Sequence, residues 1–199
     1  MNIQQYADGF ESRHPRPNIM YRGQPAGGPS TEDSFDLNDL STSLQNRSFD
    51  TNDYELKNIL DWAPISKSGK DTNLTNQSKM RDALNSAFDT SNSTEDRINA
   101  LCELKGFNVQ AAGAILTAHS PSDFGFITHG SIKALAVEDP YLADPTQYNQ
   151  FAKFTDWIRY LPYRPSIYEE YINIFQKIWP KTPSYKVSYA FIEYKWVHG

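Results

Sequence analysis

The chain has 199 residues, of which 39% are hydrophobic and 22% charged, and it carries 11 Phe, 12 Tyr and 4 Trp. This composition excludes a disordered chain and suits one globular domain with a single core. The formal net charge of −5 makes the chain a poor general polyanion binder, so any contact with nucleic acid must come from a local basic patch or from backbone amides.

The sequence shows no membrane-spanning or targeting segment. No apolar run approaches the ~20 residues needed to cross a bilayer, and the first residues lack the hydrophobic stretch of a signal peptide. We therefore expect a cytoplasmic monomer with no membrane partner. The one cysteine, Cys102, lies in an apolar helical pattern and is interpreted as a small core residue. We expect no metal site and no small-molecule cofactor.

The first fifty residues differ in composition from the rest of the chain. Residues 1–31 are rich in proline and glycine and show little periodicity, and residues 32–55 hold seven acidic residues against one arginine. These features predict an irregular arm over residues 1–50, laid on the domain or left mobile, and a helical domain over residues 51–199.

Helix signals begin at the end of this arm. The Thr-Asn-Asp run at residues 51–53 is typical of a helix cap, and the helix that it begins must end before Pro64. Residues 65–76 are polar and predict a loop, after which apolar residues recur at spacings of three and four. Ser93-Thr94-Glu95-Asp96 predicts another helix start, because a hydroxyl cap and early acids suit the helix dipole.

Later helix signals continue to the end of the chain. Residues 144–147 read Asp-Pro-Thr-Gln, with a cap and a proline at the first helical position, and residues 166–169 have the spacing of a capping box. Pro162 and Pro180 end these two helices, and residues 184–197 repeat the helical pattern. Since no stretch alternates as a strand with hairpin turns, the predicted fold class is all-α.

The most informative segment joins two helices through a short break, Lys105 to Asn108. Gly106 supplies the turn, and the small residues at 111–114 allow the second helix to approach a neighbour closely. The unpaired amides at the start of that helix, from Asn108 to Gln110, can bind an anion such as a phosphate. An ordinary αα-hairpin packed through small residues has the same spacing.

This segment resembles the helix-hairpin-helix DNA glycosylase superfamily. Leu-Lys-Gly-Phe at residues 104–107 is similar to its hairpin and residues 111–116 to its second helix, so that the motif occupies about 93–117; the resemblance spans roughly residues 55–135. It implies a monofunctional glycosylase that flips a modified or damaged base out of duplex DNA and hydrolyses the glycosidic bond. The implied DNA-binding residues are Lys105, Gly106, Phe107, Asn108, Val109 and Gln110.

The sequence departs from the family at two catalytic positions. The usual aspartate falls at Thr128, which cannot supply its charge, and the lysine with which some members form a Schiff base falls at Gln110. Two neighbouring residues remain as candidates: His129, which titrates near neutrality, and Asp123. Structural alternatives are a helix cap for Thr128, a turn for Asp123 and a backbone-bonded side chain for His129.

Other candidate residues are less direct. Tyr160, Tyr163 and Arg164 flank a proline between two helices, where they could stack on an extruded base or simply pack in the core. His119, at a helix end, is interpreted as structural. Two basic clusters could neutralise phosphates or, through Arg22, read a bulky base, although solvated surface is the alternative. These clusters consist of Arg13, Arg16 and Arg22, and of Lys67 and Lys70.

Three functions are compatible with the sequence. The first is a DNA glycosylase, and some members of the superfamily serve in bacterial defence by excising modified bases from phage DNA. The second is a non-catalytic DNA-binding protein that keeps the hairpin as a phosphate grip. The third is a protein-interaction module that uses the acidic residues 32–55. A cleft beside Gly106 lined by Thr128, His129 and aromatic residues would favour the enzyme, and a filled one the DNA-binding protein.

Overall fold

The computed structural model describes residues 1–13, 20–21, 24–25, 37–128, 131 and 164–198. Within these ranges the chain is helical, apart from a short antiparallel pair of strands, β1 (Met20–Tyr21) and β2 (Gln24–Pro25). The all-α class is therefore confirmed for this part of the chain. The helices are α1 (Ile3–Arg13), α2 (Leu37–Gln45), a 3-10 turn (Ser48–Asp50), α3 (Asp53–Trp62), α4 (Lys67–Thr75), α5 (Gln77–Phe88), α6 (Thr94–Cys102), α7 (Val109–His119), α8 (Pro165–Ile178) and α9 (Ser184–His198).

Side-chain caps fix the starts of the central helices. Asn52 Oδ1 accepts a hydrogen bond from the amide two residues later at 3.0 Å. Ser93 Oγ and Asn108 Oδ1 each accept from the amide three residues later, at 3.1 and 3.0 Å. Because these bonds satisfy amides that a helix leaves unpaired, the predicted starts at residues 51–53 and at Ser93 are confirmed.

Helix α4 occupies a segment predicted to be a loop, so that prediction is wrong. Ser66 caps the helix by accepting from the Gly69 amide at 3.2 Å. Two threonine hydroxyls of this helix bond back to the carbonyl four residues earlier. The buried face consists of Gly69 and Asn73, neither of which is apolar in a hydropathy pattern. A helix that buries a glycine and an amide gives no periodic apolar signal.

The prediction of an irregular arm over residues 1–50 is wrong for α1 and α2. Helix α1 buries Ile3, Ala7 and Phe10, whose spacing is that of one helical face, and it packs along α9. The ring of Phe10 stacks on Tyr189 of α9 with 4.3 Å between centroids. Three leucines of α2 are also buried in the same core cluster. Both helices therefore contribute to the hydrophobic core.

Near the end of the chain one predicted boundary shifts and one is confirmed. Helix α8 starts at Pro165, and Arg164, which occupies the cap position, makes no side-chain capping bond. The predicted capping box at residues 166–169 is therefore wrong, because a proline at the first helical position supplies the start. Helix α9 confirms the predicted pattern at residues 184–197. The helix predicted from residue 144 lies outside the described residues.

Helix α7 is the central helix of the described core. Val109 and all residues from 111 to 118 are buried. Tyr168 of α8 lies against Gly113, where an added Cβ would come 2.6 Å from its ring. On α3, Trp62 Nε1 donates to the carbonyl of Ala114 at 3.1 Å. The prediction that small residues let neighbours approach this helix closely is confirmed.

The single cysteine is consistent with its predicted structural role. Cys102 is half-buried at the end of α6 and packs against the core cluster. Burial raises the pKa of its thiol to about 11. The side chain is therefore a neutral thiol at physiological pH, with little thiolate character.

Candidate functional site

The hairpin between α6 and α7 turns at Gly106. Its φ of +83° lies in the left-handed region, which glycine adopts without strain. The Phe107 amide donates to the Leu104 carbonyl at 3.1 Å, and both of these side chains are buried. Lys105 and Gly106 are exposed at the tip. The predicted turn is confirmed, and it anchors its apolar residues while presenting a lysine to solvent.

Two backbone amides at the start of α7 are unpaired within the described ranges, but only the Gln110 amide belongs to a partly exposed residue, since Val109 is 1% exposed. The Ala111 amide is capped by the Asn108 side chain, and the Ala112 amide bonds to the Asn108 carbonyl at 2.9 Å. The amides of Val109 and Gln110 have no acceptor among the residues that the structure describes. Such amides, at the positive end of the helix dipole, favour a negatively charged group.

Helix α4 packs directly against the backbone of this hairpin. Asn73 Nδ2 donates to the Lys105 carbonyl at 3.0 Å, and Asn73 Oδ1 accepts from the Lys105 amide, also at 3.0 Å. One helical turn earlier, a Cβ added to Gly69 would lie 2.8 Å from the Lys105 carbonyl oxygen and 3.6 Å from Gly106 Cα. The two backbones therefore approach as closely as a glycine allows.

This packing places two basic groups that are far apart in the sequence on adjoining elements of the fold. Lys67 and Lys70 lie on α4, on either side of Gly69, while Lys105 lies on the hairpin that Gly69 contacts. The sequence does not relate these lysines to one another, because the polar residues 65–76 predict a loop. The one sequence signal for the contact is the spacing of Gly69 and Asn73, which are four residues apart and share a face when the segment is helical.

The lysines of this surface differ in whether a nearby carboxylate neutralises their charge. Lys70 Nζ lies 3.2 Å from Asp61, which also accepts from Lys57 Nζ at 2.6 Å. Partial burial raises the pKa of Asp61, but the hydrogen bonds and charges of Lys57 and Lys70 together lower it by more. The net shift of the pKa is therefore downward. Lys67 and Lys105 are exposed, and within the described ranges neither lies in ion-pair distance of a carboxylate. These two side chains therefore carry the available positive charge.

Thr128, at the position of the family's aspartate, acts as a helix cap. It is 2% exposed, and its Oγ1 accepts from the Ser131 amide at 2.9 Å. In return, Ser131 Oγ accepts from the Thr128 amide at 3.0 Å. This reciprocal pair is a capping box, and it engages the threonine hydroxyl in local structure.

The segment that leads to Thr128 is held by the last two helices. On α8, the Tyr168 hydroxyl donates to the Gly125 carbonyl and the Tyr171 hydroxyl to the Phe126 carbonyl, each at 3.0 Å. Burial raises the pKa of both tyrosines, so they stay neutral donors. On α9, Ser188 Oγ accepts from the Phe126 amide at 3.0 Å. These bonds fix the backbone immediately before the predicted catalytic position.

Asp123 lies in a turn beyond α7, at the end opposite to the hairpin. Its amide donates to the Ser120 carbonyl at 3.0 Å, and its carbonyl accepts from Gln176 Nε2 at 3.3 Å. The side chain is exposed. Because an 11-residue helix is about 16 Å long, Asp123 is separated from the hairpin by roughly that distance. The turn is therefore the role that its contacts support.

The remaining candidates can be placed only in part. Arg164 is exposed at the start of α8. Arg13 is part of α1 and pairs with Glu193 of α9, so it does not belong to the hairpin region. The other predicted catalytic, base-binding and basic residues lie outside the described residues. They are His129, Tyr160, Tyr163, Arg16 and Arg22.

A buried cation at the far end of α7 was not predicted. Arg97 is 7% exposed, its Nε donates to the Ala87 carbonyl at 2.6 Å, and its guanidinium lies 4.7 Å from the centre of the Phe124 ring. Burial lowers its pKa, and nearby Tyr168, Asp123 and Asp89 oppose that shift. Nothing in the sequence distinguishes this arginine from a surface residue of α6.

Among the residues described, no three His, Cys, Asp or Glu side chains are grouped as metal ligands would be, and no helix has the length and apolar character to span a membrane. Comparison with protein-family models, with curated proteins and with solved structures finds no match for the chain.

Proposed function

We propose that the chain binds duplex DNA without base excision, through a surface formed by α4 and the hairpin. This hairpin surface comprises Lys67, Lys70 and Lys105 together with the amide of Gln110, which is unpaired within the described ranges. The observation that carries the proposal is the close contact of Gly69 with the Lys105 and Gly106 backbone. It joins two basic groups and a helix N-terminus into one candidate phosphate grip.

The chemistry of this surface suits a phosphate backbone rather than a base edge. Lysine side chains neutralise phosphate charge, and unpaired amides donate to phosphate oxygens; neither reads sequence. Because the chain carries a net charge of −5, long-range attraction to DNA is weak and affinity must come from these local contacts. We expect modest affinity, with a slope of log affinity against log salt of roughly −2 for the two phosphates that Lys67 and Lys105 neutralise.

Binding without excision is favoured over a glycosylase by two features of the described residues. Thr128 is buried and its hydroxyl is committed to a cap, so it offers no group to a sugar cation. Asp123 is exposed at the opposite end of α7 from the hairpin. The glycosylase, including one directed at modified phage DNA, therefore depends on His129.

The protein-interaction alternative loses part of its support. Three acidic side chains of the predicted acidic stretch are engaged within the chain: Asp50 pairs with Arg47, Asp53 with Arg81, and Glu55 accepts from Ser43. A carboxylate that is already paired contributes less to attracting a basic partner. This leaves the hairpin surface as the better-supported site.

Fluorescence anisotropy with a labelled duplex, measured over a salt series, tests the proposal. We expect Lys105→Ala and Lys67→Ala to weaken binding and to reduce the salt slope by about one unit each. Lys181→Ala, in the turn between α8 and α9, removes the same charge away from the surface and should leave both quantities unchanged. Equal losses in all three variants, or no binding at low salt, would refute the proposal.

The catalytic alternative is tested on the same protein. Duplexes with unmodified, deaminated, oxidised, alkylated, hydroxymethylated or glucosylated bases are incubated with the chain and then treated with alkali to reveal abasic sites. We expect no strand cleavage on any of them. Cleavage of one duplex that is lost in His129→Ala or Asp123→Ala would establish a glycosylase with a relocated catalytic group.

A further inference from the structure

We propose that Asn73 is a positioning residue of the hairpin surface, which acts by fixing the Lys105 backbone in the orientation used for binding. This inference rests on the proposed function. It adds to that function a residue of α4 that does not itself touch DNA. The sequence pattern predicts a loop at this residue.

The contact is a two-point one. Asn73 is 5% exposed, and its amide group bonds both polar groups of a single residue, donating to the Lys105 carbonyl and accepting from the Lys105 amide, each at 3.0 Å. One hydrogen bond would leave the loop free to rotate about it. Two bonds to the same residue fix both its position and its orientation.

The contact is not required merely to satisfy backbone groups. Lys105 is exposed at the tip of the hairpin, where water can bond its amide and carbonyl. Burying an asparagine side chain against it therefore yields little net hydrogen-bond energy. What the arrangement supplies is order, because the neighbouring Gly106 at φ +83° is a residue with wide conformational freedom. A loop ordered before binding loses less entropy when it binds.

The surrounding packing serves the same contact. Gly69 lies one helical turn before Asn73 on the same face of α4, and its missing side chain lets α4 approach to the distance that the two bonds need. A Cβ at Gly69 would lie 2.8 Å from the carbonyl oxygen that Asn73 bonds. Both residues of the buried face of α4 thus converge on Lys105.

The test uses the full chain with Asn73→Ala, Lys105→Ala and the double variant. Hydrogen exchange of the Lys105 amide is followed in the free protein, and affinity for a labelled duplex is measured over a salt series. We expect faster exchange of that amide in Asn73→Ala, an affinity loss of about tenfold and a smaller salt slope. In the Lys105→Ala background, Asn73→Ala should add little, because the residue acts through Lys105.

Asn76→Ala is the matched control. Asn76 caps α5 by accepting from the Lys79 amide and, within the described ranges, makes no hydrogen bond with the hairpin. Loss of the Asn76 side chain lowers stability without freeing Lys105. The salt slope of the Asn76→Ala variant should therefore equal that of the wild type. If Asn73→Ala does not fold, Gly69→Ala displaces the same carbonyl and should change exchange and salt slope in the same direction.

Each outcome separates the inference from the function on which it rests. Faster Lys105 exchange with unchanged affinity and slope would overturn the positioning role and leave the proposed function intact. Unchanged exchange would show that Asn73 does not hold the loop and would also overturn it. If the wild-type chain itself binds no DNA, the proposed function fails, and the role of Asn73 in binding fails with it.

Discussion

The imidazole of His119 stacks on the ring of Phe88, with 4.1 Å between ring centroids and 12° between ring planes. The contact joins the C-terminal ends of α7 and α5. A histidine at a helix C-terminus is usually favoured as a cation. Here burial and the positive charges of Arg97 and Arg47 lower the pKa of His119 to about 4, against a weaker opposite effect of Asp123. The ring is therefore neutral at physiological pH and serves in packing.

This neutral histidine gives stability a defined pH dependence. Its pKa is 6.5 when unperturbed and about 4 in the fold, so between these values the unfolded chain binds more protons than the folded one. The free energy of unfolding is unaffected above the upper value, falls as the pH drops through this window, and levels off below it. Because the ring is only half-buried, solvent screening limits the loss to about 1–2 kcal/mol.

Denaturant unfolding across a pH series checks this expectation. His119→Gln removes the titrating group, so the variant should lose less stability than the wild type between pH 6.5 and 4. Carboxylates with lowered pKa, such as Asp89, titrate at the acid end and affect both proteins alike. An equally steep decline in both proteins would contradict the assignment.

Arg97 allows an independent test of what lowers the pKa of His119. Arg97→Met keeps an unbranched apolar side chain over Phe124 but removes a buried positive charge that lowers the pKa of His119. We expect the pKa of His119 to rise toward 6.5, as measured by NMR titration of its ring protons. Lys186→Met, which removes a charge on α9, should leave the titration where it is in the wild type. No rise in Arg97→Met would show that Arg97 does not contribute to the lowered pKa of His119, which burial and Arg47 would then set.

Much of the helical fold was predictable from local signals, and the errors have physical causes. Helices α3, α5, α6 and α9 have apolar spacing, and α3 and α6 also have recognisable caps at their starts, so pattern and structure agree. Helix α1 was missed because prolines and glycines further along dominated the composition of residues 1–31, although Ile3, Ala7 and Phe10 have helical spacing. Helix α4 was missed because its buried face holds no apolar residue.

The sequence predicts only those features of the candidate site that depend on neighbouring residues in the chain. The turn at Gly106 and the cap at Asn108 follow from residue types at fixed spacing. The contact of α4 with the hairpin does not, because it depends on Gly69 and Asn73, whose meaning appears only when a backbone lies opposite them. The buried Arg97 is unpredictable for the same reason, since its partner is the carbonyl that ends another helix.

The capping role of Thr128 predicts how its variants behave. Thr128→Ala removes the acceptor for the Ser131 amide and should lower the free energy of unfolding by about 1–2 kcal/mol. Thr128→Ser keeps the acceptor and should lose less. Neither change should alter affinity for duplex DNA at a temperature where both variants are folded. A loss of DNA binding without a loss of stability would instead place Thr128 in the binding site.

The pairing of α1 with α9 predicts a penalty for an isolated charge. Glu193 is 4% exposed and its partner, Arg13, lies at the end of α1. Arg13→Ala leaves the carboxylate buried and unpaired, and should cost about 2 kcal/mol of stability, less than for a fully buried pair because Arg13 is partly exposed. Adding Glu193→Gln should recover part of that loss. Gln4→Ala, on the exposed face of α1, should change stability by less than about 0.5 kcal/mol.

Replacing Gly69 by alanine should lower the stability of the chain, although the same replacement usually stabilises a helix. Replacing a glycine inside an exposed helix by alanine stabilises it by up to about 1 kcal/mol. At Gly69 the new Cβ would lie 2.8 Å from the Lys105 carbonyl oxygen, a backbone atom that Asn73 also holds. Helix and hairpin must then separate, so Gly69→Ala should destabilise the chain by about 1–3 kcal/mol.

Ser68→Ala, at the exposed neighbouring position of α4, measures the propensity effect alone. Alanine forms helices better than serine, so this control should be neutral or slightly stabilising. Denaturant unfolding of both variants gives the comparison. If Gly69→Ala is stabilised as much as Ser68→Ala, α4 does not pack against the hairpin backbone, and the hairpin surface loses the contact that unites it.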